Sequence, residues 1–275
     1  MIPISVNYHL YKPCNLKCRF CFATFRDVRG RLSLADATEL VTQLRRSGAE
    51  KITFVGGEPT LYPHIGELLV RAKQLGFVTC LVTNGARLHD LLNQHAAAID
   101  WVGLSVDSAD EQTQAALGRG DGNHVGKSIE LAARLHRVGM RVKLNTVVTA
   151  LNHAEDMAGL VRTVRPARWK VFQVLPIAGQ NDGSVEELLI DDEQFGDFVD
   201  RHAPLNAEGF GPVVEANDAM LGSYVMVDPL GRFYGNSTGR HIYSDPILDV
   251  GVEAALAQVG FSPSKFEARG GQYAW

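Results

Sequence analysis

Three cysteines lie within eight residues of one another near the start of the chain, at Cys14, Cys18 and Cys21. Three thiolates in one loop can bind three irons of a 4Fe–4S cluster and leave the fourth iron open to another ligand. The alternative is zinc, which needs a fourth ligand at finger-like spacing; no second cysteine pair follows, although His9 could serve. The fourth cysteine, Cys80, lies on the apolar face of its predicted strand and is expected in the core, not as a ligand.

The elements that must position these cysteines alternate between short apolar segments and amphipathic ones over residues 1–176. This alternation predicts an α/β fold, a partial (β/α)6 TIM-like barrel. A helix is expected between residues 33 and 47, with Ser33 as its N-cap and Gly48 at its end. Strands are predicted at residues 2–10, 51–55, 77–83, 100–107, 141–149 and 168–176.

Residues 177–275 do not continue this alternation of apolar and amphipathic segments. They are predicted to form a C-terminal extension that covers the active site. A loop rich in Gly, Asn and Asp spans residues 179–184, and a helix is expected near residues 191–203. A hairpin is predicted at residues 223–235, followed by a short helix near 251–258 and a polar tail.

The predicted strands have one apolar and one polar face. In the fourth strand, Val102, Leu104 and Val106 share a face that should meet helices, so the opposite face points into the barrel lumen. An ordinary barrel fills its lumen with branched apolar side chains, so a polar lumen predicts a ligand cavity. The polar residues expected to face the lumen are Asn7, Lys51, Thr53, Ser105, Asp107, Lys143, Asn145 and Lys170.

The cysteine loop follows the first strand, at the carboxyl end where such barrels place their chemistry. Its C-x3-C-x2-C spacing, with Phe20 before the last cysteine, resembles the cluster loop of the radical S-adenosylmethionine (SAM) superfamily. In that superfamily the cluster binds SAM, and an electron cleaves it to methionine and a 5′-deoxyadenosyl radical. Residues 56–59 resemble the superfamily's GGEP segment. The resemblance implies SAM contacts from Phe20, Gly57, Glu58, Thr83, Asn84, Ser105 and Asn145.

Segments at residues 5–9, 118–120, 123–125, 168–173, 247–252 and 269–271, together with Tyr273 and Trp275, resemble the viperin family. This resemblance implies an antiviral enzyme that removes H4′ and the 3′-hydroxyl of a ribonucleoside triphosphate. The substrate would be CTP, UTP or GTP, and the product its 3′-deoxy-3′,4′-didehydro analogue. An electron donor such as flavodoxin or ferredoxin is also implied, and we expect a monomer. Residues 234–238 are expected in the base pocket.

Lys51, Lys143 and Lys170 are at inward-facing positions. They indicate an anionic substrate, because burying ammonium groups without anions is costly. Alternatively, Lys51 and Lys170 begin strands and could extend to solvent. Arg119 lies in a glycine-rich loop expected to contact phosphates, with His124 beginning the next helix. The predicted substrate-binding residues are Asn7, Lys51, Arg119, Lys143, Lys170 and Arg269. Candidates to protonate the departing hydroxyl are Lys143, Lys170 and Tyr273.

Composition limits the other possibilities. A net charge of −4 argues against a nucleic-acid binder, and no segment approaches eighteen consecutive apolar residues, so we expect no membrane span. Clustered thiols without a disulfide pattern indicate a reducing cytoplasm. Rival functions are a radical SAM peptide modifier or molybdopterin-precursor synthase, which commonly use further C-terminal cysteines, and a non-catalytic nucleotide-binding or metal-sensing module. No cysteine follows Cys80.

Overall fold

The computed structural model describes residues 4–275, in which ten strands form one sheet in the order β10-β9-β8-β1-β2-β3-β4-β5-β6-β7. Strands β1 to β7 are parallel to their neighbours, β8 pairs in parallel with β1, and β9 and β10 are antiparallel additions. The strands are β1 Ser5–Tyr11, β2 Lys51–Gly56, β3 Val78–Thr83, β4 Trp101–Ser105, β5 Arg141–Val148, β6 Arg168–Gln173, β7 Pro212–Glu215, β8 Met226–Val227, β9 Arg232–Gly235 and β10 Ile242–Pro246.

Helices follow most of the parallel strands and cover the outer face of the sheet. The helices are α1 Leu34–Arg46, α2 Ile65–Gln74, α3 Leu88–His95, α4 Glu111–Ala116, α5 His124–Arg137, α6 Ala158–Val164, α7 Asp192–His202, α8 Asn217–Met220, α9 Ile247–Val250, α10 Val252–Leu256 and α11 Pro263–Ala268. Short 3-10 turns occur at Pro59–Leu61, Ala96–Ala98, Glu186–Leu188 and Ala203–Glu208. None of these described helices is long and apolar enough to cross a bilayer.

All six predicted strands are present and parallel, which confirms the partial (β/α)6 barrel. Their ends differ by a few residues: β4 ends at Ser105 and β6 at Gln173. Ile2, expected in the first strand, lies outside the described residues. The sequence did not predict β7, which extends the sheet beyond β6, or the parallel pairing of β8 with β1. Residues 177–275 therefore add strands to both edges of the six-stranded unit.

Local signals explain where the predicted elements begin and turn. The Ser33 hydroxyl accepts the Asp36 amide at 3.1 Å, which confirms it as the N-cap of α1. Helix α7 begins with a capping box in which Asp191 and Gln194 bond each other's backbone amides. The predicted hairpin is confirmed between β8 and β9. Its turn is closed by a hydrogen bond from the Gly231 amide to the Asp228 carbonyl.

The outward faces of the strands pack against the helices in one main core, which includes Val102, Leu104 and Val106 as predicted. Two details of the face assignment were wrong. Asp107 lies beyond the end of β4 and is fully buried, accepting the Val147 amide at 2.9 Å. Cys80 is buried as expected, but its register with Thr53 and Trp101 places it on the inward face of β3.

Candidate active site

The lumen holds a cavity of about 970 Å³, near the upper end of the usual range for ligand sites. Loops at the carboxyl ends of the strands line one part of it, inward-facing strand residues line the middle, and the extension contributes the remainder. Predicted residues that line it are Asn7, Cys14, Cys18, Phe20, Cys21, Lys51, Gly57, Glu58, Thr83, Asn84, Ser105, Arg119, Lys143, Asn145, Lys170, Arg269 and Tyr273.

The cysteine loop rests directly on two glycines from other segments. A Cβ on Gly57 would collide with the carbonyl oxygens of Lys12 and Pro13, and one on Gly118 would collide with that of Lys17. The Lys17 amide donates to the Gly118 carbonyl at 3.2 Å. Glycine is therefore required at both positions for the loop to lie this close.

The three thiols fit the ligand set of an iron–sulfur cluster. All three are unbonded and line the same cavity. Burial raises the pKa of each thiol, and the neighbouring thiols raise the pKa values of Cys18 and Cys21 further. In residues 4–275, no three metal-ligating side chains are grouped tightly enough for a single ion. A 4Fe–4S cube bonds each thiolate through a different iron, so its ligands stand farther apart than those of one ion.

The extension braces this loop through residues that sequence reasoning missed. The Gln180 side-chain oxygen accepts the Phe25 amide at 2.7 Å, and the Asn181 amide group donates to the Phe20 carbonyl at 3.1 Å. The Ser184 hydroxyl donates to the Arg19 carbonyl at 2.9 Å. Composition had indicated only a loop here, because these partners lie about 160 residues away in the chain.

Glu58 is the centre of a complete hydrogen-bond network. Its carboxylate accepts the Thr60 amide at 2.9 Å and the Thr83 hydroxyl at 2.6 Å through Oε1, and the Asn84 amide at 2.8 Å through Oε2. Glu58 and Thr83 are buried, and the Asn84 side chain donates to Asn15 in the cysteine loop at 3.0 Å. Thr83 and Asn84 therefore orient Glu58 and link it to the cysteines.

Asn145 and Ser105 lie side by side in register on β5 and β4. Asn145 Oδ1 is buried and has no hydrogen-bond donor among the described residues, which makes it an acceptor available to a ligand. The Ser105 carbonyl accepts His124 Nε2 at 2.8 Å. His124 begins α5 as predicted, and burial lowers its pKa, so it acts here as a neutral packing residue.

Arg119 lies beside the cysteine loop, away from the strand lysines with which it was grouped as a phosphate ligand. Its guanidinium forms a buried ion pair with Asp107 and stacks over the Phe20 ring at 5.4 Å. The Asp107 carboxylate that holds Arg119 was expected to face the lumen. Arg119 therefore enters the cavity at its cysteine end.

The opposite end of the cavity has a group of cations that we call the basic floor, formed by Lys51, Lys143 and Arg168. Both lysines donate hydrogen bonds to the Tyr273 hydroxyl, and Arg168 stacks over the Tyr273 ring at 4.2 Å. No carboxylate lies within 4.0 Å of these three cations among residues 4–275. Burial, and then repulsion from Lys143, lower the pKa of Lys51 to about 6.

Lys170 differs from the floor lysines because it has an acidic partner, Glu215 of β7. The two side chains form a buried ion pair at 2.5 Å, and Arg269 lies 3.5 Å from the same carboxylate. Lys170 Nζ also donates to the Tyr224 hydroxyl at 2.6 Å, and that hydroxyl donates to Glu215. The expectation that Lys170 needs an external anion was wrong, since Glu215 supplies one. Neither Lys51 nor Lys170 extends to solvent.

Register places Lys170 one inward position above the floor. Asn145 pairs with Lys170, whereas Lys143 pairs with Arg168 two residues earlier. Two residues along a strand correspond to about 7 Å. Burial lowers the pKa of Lys170 to about 8, with Glu215 opposing this shift. Lys170 therefore stands level with the available Asn145 oxygen, one inward position above the basic floor.

A family model of the radical SAM superfamily matches residues 8–165. The chain therefore belongs to the radical SAM superfamily. The S-adenosylmethionine-dependent nucleotide dehydratase of Flammeovirga pacifica is 44% identical over 281 residues, with 98% of this chain and 96% of that protein covered. Within the superfamily, this chain belongs to the SAM-dependent nucleotide dehydratases.

The same family extends to vertebrates and archaea. The S-adenosylmethionine-dependent nucleotide dehydratase RSAD2 of Oncorhynchus mykiss is 37% identical over 99% of this chain and 81% of its own length. A nucleotide dehydratase of a Thermoplasmatales archaeon is 37% identical over 85% of this chain and 83% of that protein. These similarities agree with the viperin-family resemblance of the sequence.

Solved structures of more distant proteins share the fold. Native anSMEcpe with bound AdoMet and a Kp18Cys peptide has a TM-score of 0.71 and 17% identity, covering 97% of this chain and 82% of that one. Streptococcus suis SuiB bound to S-adenosylmethionine has a TM-score of 0.65 and 18% identity, covering 84% of this chain and 60% of that one. At this identity the match supports the α/β barrel architecture alone.

Proposed function

We propose that this chain is a radical SAM enzyme that dehydrates a ribonucleoside triphosphate to its 3′-deoxy-3′,4′-didehydro analogue, for antiviral defence. One observation carries the proposal. A single cavity is lined by three thiols at one end and, at the other, by a cation group that has no carboxylate partner among the described residues. A cluster with SAM at the first end and a triphosphate at the second would place the substrate sugar between them.

The cofactor end suits the groups that the family uses. Cys14, Cys18 and Cys21 would hold the 4Fe–4S cluster, and with SAM it would supply the 5′-deoxyadenosyl radical that removes H4′. The Asn145 oxygen can accept a hydroxyl of the SAM ribose, because it has no donor of its own. Arg119 lies near enough to the cysteine loop to serve the cofactor, so we assign it there and not to the triphosphate.

The basic floor is the proposed triphosphate site. Phosphate oxygens would replace the Tyr273 hydroxyl as acceptors for Lys51 and Lys143, and Arg168 can offer a forked contact. Asn7 lines the same cavity from β1 and would contact the sugar. Arg269 reaches the site from the tail through Glu215. Fixing the triphosphate determines which sugar carbon meets the radical, so positioning carries much of the rate.

We assign protonation of the departing 3′-hydroxyl to Lys170. A pKa of about 8 leaves its ammonium largely protonated at neutral pH yet able to release a proton. Its position level with Asn145 puts it near the sugar, whereas Lys143 and Tyr273 lie at floor level. Tyr224 and Glu215 hold the Lys170 side chain in place.

Residues 177–275 would form the cover of the site, because Tyr224, Arg269 and Tyr273 all line the cavity. Asn236 also lines it, which supports a base pocket near residues 234–238 for CTP, UTP or GTP. Reduced, clustered cysteines suit a cytoplasmic location.

The test is anaerobic incubation of the reconstituted enzyme with SAM, dithionite and each nucleoside triphosphate in turn, followed by mass spectrometry. We expect 5′-deoxyadenosine together with a nucleotide lighter by one water. Cys18→Ala should abolish both products, and Cys80→Ala, a matched cysteine change outside the loop, should retain them. Deoxyadenosine without a dehydrated nucleotide would refute the nucleotide assignment, and reconstituted protein without iron and sulfide would refute the cluster.

A further inference from the structure

Positive charge is concentrated around the cysteine loop. Residues 12–31 contain six basic side chains and one acid, Asp27, for a local charge of +5. The whole chain carries −4, so the remaining residues together carry −9, since −4 minus +5 is −9. The basic side chains are Lys12, Lys17, Arg19, Arg26, Arg29 and Arg31.

Two of these six charges are neutralised by the extension. Arg19 pairs with Glu187, and Arg26 lies 3.6 Å from Asp182. The other four have no carboxylate within 4.0 Å in the described part of the chain. We call these four the basic rim: Lys12, Lys17, Arg29 and Arg31.

Three of the four basic-rim side chains lie at the cavity that the cysteines line, and contacts hold two of them, Lys12 and Arg31. Lys12, Lys17 and Arg31 line the cavity together with the cysteine loop, and Cys14 is exposed. Lys12 Nζ donates to the Val28 carbonyl at 3.1 Å. The Arg31 guanidinium stacks over the Tyr11 ring at 5.3 Å, while Arg31 remains exposed. The charges of Lys12 and Arg31 therefore occupy defined positions, and Lys17, Arg29 and Arg31 are exposed.

The chain has no cysteines for a second cluster that could relay electrons. It contains four cysteines in all, and the fourth, Cys80, is buried alone on β3. An iron–sulfur cluster needs several cysteine ligands. An electron that reaches the proposed cluster must therefore come from a molecule that approaches the cysteine loop itself.

We propose that the basic rim is the docking surface for an acidic one-electron carrier protein, an inference that rests on the proposed function. One electron passes from the reduced carrier to the cluster, and the carrier leaves in its one-electron-oxidised form; no group is transferred. Electron-transfer contacts are small and short-lived, so opposite surface charge mainly raises the association rate. The four positive charges of the basic rim, on a chain whose net charge is −4, match this requirement.

The experiment compares two reductants on the same reconstituted holoenzyme. Reduced flavodoxin serves as the acidic carrier and dithionite as the small-molecule reductant, and the rate of methionine release from SAM is measured. In Arg29→Glu/Arg31→Glu, the flavodoxin-driven rate should fall about tenfold at low salt, and its decrease with ionic strength should flatten. The dithionite-driven rate should stay within about twofold, because neither residue is assigned to cluster, SAM or substrate binding.

Arg46→Glu/Arg137→Glu is the matched control. It makes the same change in net charge at exposed positions on α1 and α5, and should leave both rates unchanged. If the charge-reversal variant folds poorly, Arg29→Gln/Arg31→Gln should show the same selective loss at smaller size. An unchanged flavodoxin-driven rate in the rim variants would overturn the proposal, as would an equal loss in the control. Single-stranded RNA binding that depends on the rim, with normal flavodoxin rates, would likewise overturn it.

Failure of this proposal and failure of the proposed function give different results. Dithionite-driven SAM cleavage without a dehydrated nucleotide contradicts the proposed function and leaves the docking comparison intact. A different result contradicts the docking surface alone. In that case nucleotide dehydration with dithionite is normal, and the flavodoxin-driven rate is the same in the rim variants as in the unsubstituted protein.

Discussion

The two ends of the cavity are built in opposite ways. At the cysteine end, both oxygens of the Glu58 carboxylate accept hydrogen bonds from the protein, and Asp107 neutralises Arg119. At the basic floor, Lys51 and Lys143 share one phenol oxygen as their acceptor. The charged groups of the first end are paired within the protein, whereas the cations of the second have no carboxylate within 4.0 Å in residues 4–275.

The Glu215 group, formed by Lys170, Glu215, Tyr224 and Arg269, lies between these extremes. It carries two cations, as the floor carries cations, but one carboxylate, Glu215, compensates part of their charge. Lys143 and Lys170, which look equivalent in the sequence, are therefore expected to have different functions. Substitutions at the two ends and in the Glu215 group should affect stability and ligand binding in different proportions.

The largest effect on stability is expected from Lys170→Met. This change leaves the fully buried Glu215 without its nearest cation, and breaking a buried pair in this way costs about 3 kcal/mol or more in the free energy of unfolding. Urea denaturation measures it. The double variant Lys170→Met/Glu215→Gln should recover part of the loss, because the carboxylate charge is removed while Arg269 loses its partner; no recovery would mean that packing, not charge, explains the effect.

Thr83→Val should weaken the cysteine end. It removes the hydroxyl that donates to Glu58 at 2.6 Å and accepts the Gly85 amide at 2.9 Å. Losing a buried hydrogen bond to a charged group lowers the free energy of unfolding by about 2 kcal/mol. SAM affinity, measured by calorimetry, should fall as well. Thr83→Ser retains the hydroxyl and is the matched control; equal losses in both variants would contradict the role of the hydrogen bond.

At the basic floor, Lys143→Met should weaken nucleotide binding without lowering the stability of the protein. Removing a buried ammonium that has no carboxylate partner within residues 4–275 should leave the free energy of unfolding unchanged or raised. Nucleotide affinity should fall about tenfold, because a charge-assisted contact to phosphate is lost. SAM cleavage without nucleotide should be unaffected. A clear loss of stability would show that the floor, like the Glu215 group, is already compensated.

The pH dependence of nucleotide binding should further distinguish the basic floor from the cysteine end. Lys51 has a pKa of about 6, below its ordinary 10.5, so its side chain is mainly neutral at pH 7.5. A bound triphosphate favours the ammonium, so binding takes up a proton above pH 6, and affinity falls as pH rises. The same shift makes the Lys51 contribution to folding stability increase with pH between about 6 and 10.5.

Calorimetry in two buffers of different ionisation enthalpy measures this proton uptake. Lys51→Met should reduce the uptake by up to one proton, after the triphosphate's own titration is accounted for by the same subtraction. Lys127→Met, at an exposed position of α5, should behave as the unsubstituted chain does. Identical uptake in all three proteins would contradict the assignment of Lys51.

The cysteine loop, the six strands and most inward-facing residues could be predicted because their signals are local. Spacing identifies the thiols, and alternation gives the faces of β4 and β5. Glu215 could not be found in this way, since it lies on a four-residue strand and meets Lys170 only through the pairing of β7 with β6. The ion pair of Arg119 with Asp107 could not be predicted, because nothing local shows that Asp107 turns away from the lumen.

The position of Tyr273 gives the protein its own optical signal. The chain has three tryptophans, and the Tyr273 ring lies edge-on to two of them, 5.9 Å from Trp101 and 5.2 Å from Trp275. Lys51 also lies 5.0 Å from the Trp275 ring, where an ammonium influences the emission of an indole. A triphosphate that takes Lys51 and Lys143 from Tyr273 would alter both surroundings. Intrinsic fluorescence should therefore follow nucleotide loading without a dye or a label.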